Sequence, residues 1–367
     1  MKIAFYAPLK MPDHPVPSGD RLMARLLVAA LEKAGHDVNP ISDLRSYSRT
    51  SEPSSYREIE ALARAEIMRI SEQWGGGTPA DIWFSYHPYY KAPDLLGPTL
   101  SKQFHIPYFT AETSYSGRRN TGYWVKTQQN VLNGIRQAAV NICFTKRDQE
   151  GIAATAPDAQ TAMLRPFILP EPFLGSRPQG DVIENRLITV AMMRPGDKMD
   201  SYRLLADALA RLSSQLPWSL SIIGDGKMKA EVKQLFARFP ADRIIWHGQA
   251  TTAEIAARMS QSAAYVWPGF GEAYGLAYLE AQAAGLPVVA MNVAGVPEAV
   301  DADVTGLLTS AGDADAYAKA IEQVLTDEAT RIRMGRAARQ MIVSERTLDR
   351  AALVLDEILT KWTQPIP

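Results

Sequence analysis

Short apolar runs alternate with longer segments whose apolar residues recur at helical spacing, from one end of this 367-residue chain to the other. In the first half, residues 3–7, 37–41, 82–86, 108–111 and 140–144 predict strands, and residues 21–34, closed by Gly35, and 56–74, closed by Gly75-Gly-Gly77, predict helices. A long polar loop is expected over 42–55. Pro166, Pro170, Pro172 and Pro178 then punctuate a stretch without periodicity, which reads as the boundary between two domains. Beyond it the pattern predicts strands at 187–192, 219–223, 244–246 and 263–267. Helices are predicted at 201–215, 229–239 and 274–284, then at 314–325, 328–343 and 348–362. Strands alternating with helices indicate an α/β protein with parallel sheets covered by helices. No short internal repeat is visible.

Two carboxylates break this pattern. The stretch Trp267-Pro-Gly-Phe-Gly-Glu-Ala-Tyr-Gly-Leu-Ala-Tyr-Leu-Glu280 places Glu280 between Leu279 and Ala281 on an apolar helix, where burial without a partner costs several kcal/mol. Taken alone, Glu280 reads as a carboxylate snorkelling to a helix surface, and Glu272 as an acid complementing the helix dipole. Strand, glycine loop and helix N-terminus together, however, aim unpaired N–H groups at one place, which makes an anion site. Tyr274, Gly275 and Leu276 would supply those amides to a diphosphate. Glu280, one to two turns further in, would then reach an attached ribose.

Length and 46% hydrophobic content suffice for two cores. Thirty-nine basic against 40 acidic side chains leave no nucleic-acid footprint in the total. Cys143 is the only cysteine and lies in an apolar run, so a buried core position is expected and no disulfide can form within the chain. The first residues have too short an apolar core for a signal peptide, and no run approaches the roughly 20 apolar residues of a spanning helix. A cytoplasmic protein is expected.

Glu272 and Glu280, separated by seven residues, together with Val190-Ala-Met-Met-Arg-Pro-Gly-Asp-Lys198, Ile222-Ile-Gly-Asp-Gly226, Trp246-His-Gly248, Pro297-Glu-Ala-Val300 and Thr305-Gly-Leu-Leu308, resemble in type and order the blocks of glycosyltransferase family 4. The N-terminal half matches only weakly. The resemblance implies a GT-B fold: two Rossmann-like domains with parallel sheets facing across a cleft. The N-terminal acceptor domain would span 1–172 and the nucleotide-sugar donor domain 173–344, with a C-terminal helix over 345–367 returning to the first domain. It implies a retaining hexosyltransferase that moves sugar from a nucleotide-diphosphate sugar to a saccharide or lipid-linked hydroxyl, in polysaccharide or glycolipid synthesis. Arg194 and Lys198, in the loop after a strand, would neutralise the leaving diphosphate, and Glu272 would contact the transferred sugar. Gly224 would turn the chain near the nucleotide and His247 would lie near its base. Gly19 matches a glycine that approaches the donor phosphate. On the acceptor side His87 and Glu112 are candidates; Glu112 stands where relatives carry a histidine and can orient a hydroxyl or pair with Arg118 or Arg119. Asp20 is an N-cap candidate.

With Arg194, Lys198 and helix amides around the diphosphate, no cofactor and no metal is required. Asp301-Ala-Asp303 and Asp313-Ala-Asp315 imitate a metal-binding pair but are too short to carry one. Gly224-Asp-Gly226 lacks the third glycine of a dinucleotide fingerprint. The alternatives left open are a sugar-nucleotide epimerase, which would form epimer from donor alone, and a non-catalytic nucleotide-sugar-binding protein, which would bind donor without turnover. Peripheral contact with the inner face of a membrane stays open as well.

Overall fold

The computed structural model describes residues 1–15, 18–175 and 185–363; Pro17 and Pro178 lie outside the described residues. The chain forms two units, Met1–Arg165 with Leu348–Pro367, and Pro166–Thr347. These divisions fall after 165 and 347, against the 172 and 344 expected from the sequence. The proline-punctuated stretch belongs to the second unit, because it packs there. Phe167, Ile168 and Phe173 are buried, and the Ile168 amide donates to the Arg346 carbonyl at 2.9 Å. Proline removes amide donors and breaks periodicity, which hides such a segment from pattern reading.

The first unit carries β1 (Lys2–Tyr6), α1 (Gly19–Lys33), β2 (Asp37–Pro40), α2 (Pro53–Gly75) and β3 (Ile82–Tyr86). It continues with α3 (Gly97–Phe104), β4 (Tyr108–Ala111), α4 (Trp124–Gln137), β5 (Val140–Cys143), α5 (Lys146–Thr155) and β6 (Thr161–Met163). All strands are parallel, in the order β2-β1-β3-β4-β5-β6. Strands β3, β4 and β5 are buried along their whole length, so they read as continuous apolar runs rather than alternating ones. Cys143 is 1% exposed and burial pushes its thiol up to about 12, as befits a core residue. Helix α1 starts two residues earlier than its apolar pattern: Ser18 is the N-cap, accepting from the Arg21 amide, and Asp20 lies in the first turn instead of capping it.

The second unit carries β7 (Arg186–Val190), α6 (Asp197–Leu209), β8 (Ser219–Ile223), α7 (Lys229–Phe236), β9 (Ile244–Gly248) and α8 (Thr252–Ser260). After these come β10 (Ala264–Val266), α9 (Leu276–Ala283), β11 (Val288–Met291), α10 (Val296–Ala299), β12 (Gly306–Thr309), α11 (Ala314–Thr326) and α12 (Glu328–Glu345). Its sheet is also parallel, ordered β12-β11-β10-β7-β8-β9. The last helix, α13 (Leu348–Thr363), packs on α1 in the first unit. It buries Leu348, Ala351, Ala352, Leu355, Ile358 and Leu359 there, with Lys33–Asp349 at 2.7 Å on its rim. No helix among the described residues is long and apolar enough to cross a membrane.

Candidate functional site

Read from its β9 edge, the second sheet runs outward through β8 to β7 and then reverses direction at β10. Ligands of open parallel sheets bind outside the strand C-termini at such a reversal. The segments that follow β7 and β10 are the ones that hold Arg194, Lys198, Glu272 and Gly275.

Arg194 lies in the loop after β7, is exposed, and makes no hydrogen bond or ion pair among the described residues. Lys198 does not lie in that loop, as the pattern had suggested; α6 begins at Asp197, so Lys198 is in its first turn. There its ammonium pairs with the Glu272 carboxylate and sits 5.4 Å over the Trp267 ring. The Trp267 indole N–H donates to the same carboxylate oxygen at 2.9 Å. A lysine at a helix N-terminus is repelled by the helix dipole, and the acid across the crossover offsets this. The first turn of α6 and the loop after β10 are thus joined by one ion pair whose side chains are each only 16% exposed.

Gly275 caps α9 with φ +69°, and an added Cβ would stand 2.5 Å from the Tyr278 ring. The helix therefore starts at Leu276, two residues later than the pattern, and the Gly275 and Leu276 amides have no acceptor among the described residues. Tyr274 is buried beside them. Glu280 is partly exposed and has no hydrogen-bond or ionic partner among the described residues, and burial alone pushes its carboxyl up to about 7.

Gly224 and His247 have structural duties. At φ +148° a Cβ on Gly224 would meet the Ala191 carbonyl at 1.9 Å, so the β8 end lies directly against the strand end that leads to Arg194. The Met193 amide donates to Asp225 at 2.9 Å, which fixes that loop. His247 accepts at Nδ1 from Arg258 (2.9 Å) and meets Ser221 through Nε2 (3.2 Å). Burial, then Arg258 and Arg186, lowers its pKa and keeps it neutral. Both ring nitrogens are used inside the unit. Asp313 is the N-cap of α11 and Asp315 pairs with Arg211 at 2.7 Å, which accounts for one of the two Asp-x-Asp pairs.

In the first unit Gly19 opens α1, with nothing within 4 Å of an added Cβ. His87 directly follows β3 and Glu112 directly follows β4. The sequence kept these two apart; the fold brings them together and adds Asp20. His87 Nδ1 is 3.6 Å from a Glu112 oxygen and 3.5 Å from an Asp20 oxygen. Glu112 is buried, and burial pushes its carboxyl up to about 7 against the pull of His87. Among the described residues no ion pair joins it to Arg118 or Arg119.

A model of the glycosyl transferases group 1 family matches residues 181–341. The D-inositol 3-phosphate glycosyltransferase of Pseudarthrobacter chlorophenolicus is 37% identical over 142 residues, 37% of this chain and 34% of that protein. The chain spans about a quarter to a half of the length of the first curated relatives it matches. Across nearly the whole chain the fold is that of sucrose-phosphate synthase from Thermosynechococcus elongatus, with TM-score 0.74 and 19% identity over 98% of each chain. It is equally that of Anabaena HepE in complex with UDP, with TM-score 0.76 and 17% identity over 98% of this chain and 100% of that one. The fold is thus two Rossmann-like units of the GT-B kind, and residues 181–341 match the model of the group 1 glycosyl transferases.

Proposed function

We propose that this chain is a retaining glycosyltransferase that takes a nucleotide-diphosphate sugar as donor and passes the sugar to a hydroxyl of a saccharide or lipid-linked acceptor. The observation that carries the reading is what the segments following β7 and β10, neighbours at the reversal, carry: an unpaired guanidinium, open helix amides, and a partly buried carboxylate without a partner. A diphosphate satisfies the first two, and ribose hydroxyls satisfy the third. Positive charge held where the leaving group develops charge lowers the barrier without reorganisation. Arg194 and Lys198 provide it in this reading, so no metal is needed. An incoming phosphate would compete with Glu272 for Lys198, releasing the Glu272 carboxylate to accept hydrogen bonds from hydroxyls of the transferred sugar. Retention, a place in cell-surface polysaccharide or glycolipid synthesis, a cytoplasmic location and contact with the inner membrane face belong to the same proposal. Retention and the place in synthesis rest on the family resemblance of Glu272, Glu280, Arg194 and Lys198.

The test is a transfer assay with uridine, guanosine and adenosine diphosphate sugars against a panel of saccharide and lipid-linked acceptors, in the presence of a chelator, with the product anomer read by NMR. A retained anomer formed without metal is expected. An inverted product would refute the stereochemistry, and strict magnesium dependence would refute the cationic cradle.

A further inference from the structure

The first sheet has a reversal of its own. Strand β1 lies between β2 and β3, so the crevice position of an open parallel sheet falls at the ends of β1 and β3, with β4 next in line. The segments leaving those three strands carry Asp20, in the first turn of α1, then His87 and Glu112. The backbone is bent to bring them together. His87 (φ 59°) and Glu112 (φ 55°) are two of six non-glycine residues with positive φ among those described. Each turns away immediately after its amide has closed the last rung of the ladder, to Ala111 at 2.8 Å and to Ile142 at 2.9 Å. Left-handed backbone costs a non-glycine residue on the order of 1–3 kcal/mol and concentrates where side chains must be aimed for function. Two such residues stand at the ends of neighbouring strands, with their side chains 3.6 Å apart.

The imidazole is oriented by charge. Nδ1 is buried and stands between two carboxylates at 3.5 and 3.6 Å, close enough for charge to act although neither contact is a hydrogen bond, while 19% of the side chain stays exposed. Acceptors on both sides of one ring nitrogen favour the tautomer with its proton there, which leaves Nε2 as a lone-pair acceptor. The ring packs against Tyr86 and Tyr89, at 5.8 and 5.2 Å between centroids, which holds it in place.

We propose that Asp20, His87 and Glu112 form one hydroxyl-receiving group on the first unit, in which His87 Nε2 accepts a hydrogen bond from a hydroxyl of a neutral sugar acceptor and the two carboxylates hold the Nδ1 proton. His87 touches the substrate; Asp20 and Glu112 are positioning residues. The inference rests on the sugar-transfer reading for its ligand and on the first unit's own geometry for its mechanism.

Two measurements on the full chain separate those supports. Nitrogen-15 correlation spectra, with His87 assigned by its absence in His87→Gln, should show the Nδ1–H tautomer in the wild type and a shift toward Nε2–H in the Asp20→Asn, Glu112→Gln double variant. A wild-type Nε2–H tautomer overturns the proposal whether or not an acceptor is known. In the transfer assay, His87→Gln and Glu112→Gln should each lower kcat/KM for the acceptor at least about tenfold, the scale of one positioned hydrogen bond, while nucleoside diphosphate still raises Tm as in the wild type. Glu112→Asp should recover part of the loss. Acceptor kinetics unchanged in both variants overturn the proposal. Loss of nucleotide binding in Arg194→Ala alone would instead report on the second unit.

Discussion

Glu280 makes the residue scale concrete, because its carboxyl is costly to the folded chain and useful only to a ligand. A carboxyl raised from its ordinary 4.5 to about 7 favours the folded state in its protonated form. Its contribution is fully present below about pH 4.5 and is lost as pH rises through about 7. Glu280→Gln should therefore match the wild type near pH 4.5 and exceed it at pH 8 by on the order of 1–3 kcal/mol in chemical denaturation. The same variant should bind nucleoside diphosphate more weakly. Equal stability at both pH values would show that the carboxylate is solvated in the free protein. Arg194 is the opposite case, an exposed cation with no partner among the described residues to lose. Arg194→Ala should leave Tm within a degree or two and cut kcat about 10²- to 10³-fold, the cost of one charge-stabilising donor.

Elements decide where these residues stand, and here the sequence was only partly legible. Glu272, Glu280 and Gly275 could be read because glycine and charge interrupt an apolar run, which is a local signal. The grouping of Asp20, His87 and Glu112 could not, since three separate strand-end segments supply it and no local pattern encodes a shared crevice. Helices α3, α4 and α5 escaped the reading: α3 has eight residues, the buried face of α4 mixes Thr127, Gln128 and Gly134 with Val131 and Ile135, and α5 buries only Ile152 among its own. The start of α6 was read four residues late because Asp197 and Lys198 look like loop charges, although Asp197 suits a helix N-terminus. Gly224 shows how tightly the crossover loops are fitted. Gly224→Ala should destabilise the second unit by roughly 2–4 kcal/mol in denaturant titration, through strain at φ +148° and the close Ala191 carbonyl. A change under 0.5 kcal/mol would mean that the β7 and β8 ends can separate freely.

At the scale of the whole molecule, each unit completes its own core with a segment distant in sequence or hidden from pattern reading. The first borrows α13, and the second takes the proline-rich stretch 166–175. Deleting residues 348–363 should expose the apolar face of α1, so limited proteolysis should degrade 1–165 early while 185–341 persists; equal protection of both would contradict the packing. The central claim is that the β7/β10 reversal of the second unit is a nucleotide-diphosphate site. Calorimetric titration of UDP, GDP and ADP into the wild type, Arg194→Ala and Glu280→Ala tests it most directly. The account predicts that at least one nucleotide binds the wild type and loses at least about tenfold in affinity, roughly 1.4 kcal/mol, in each variant. Binding that is equally tight in all three proteins, or absent for every nucleotide in the wild type, would contradict it.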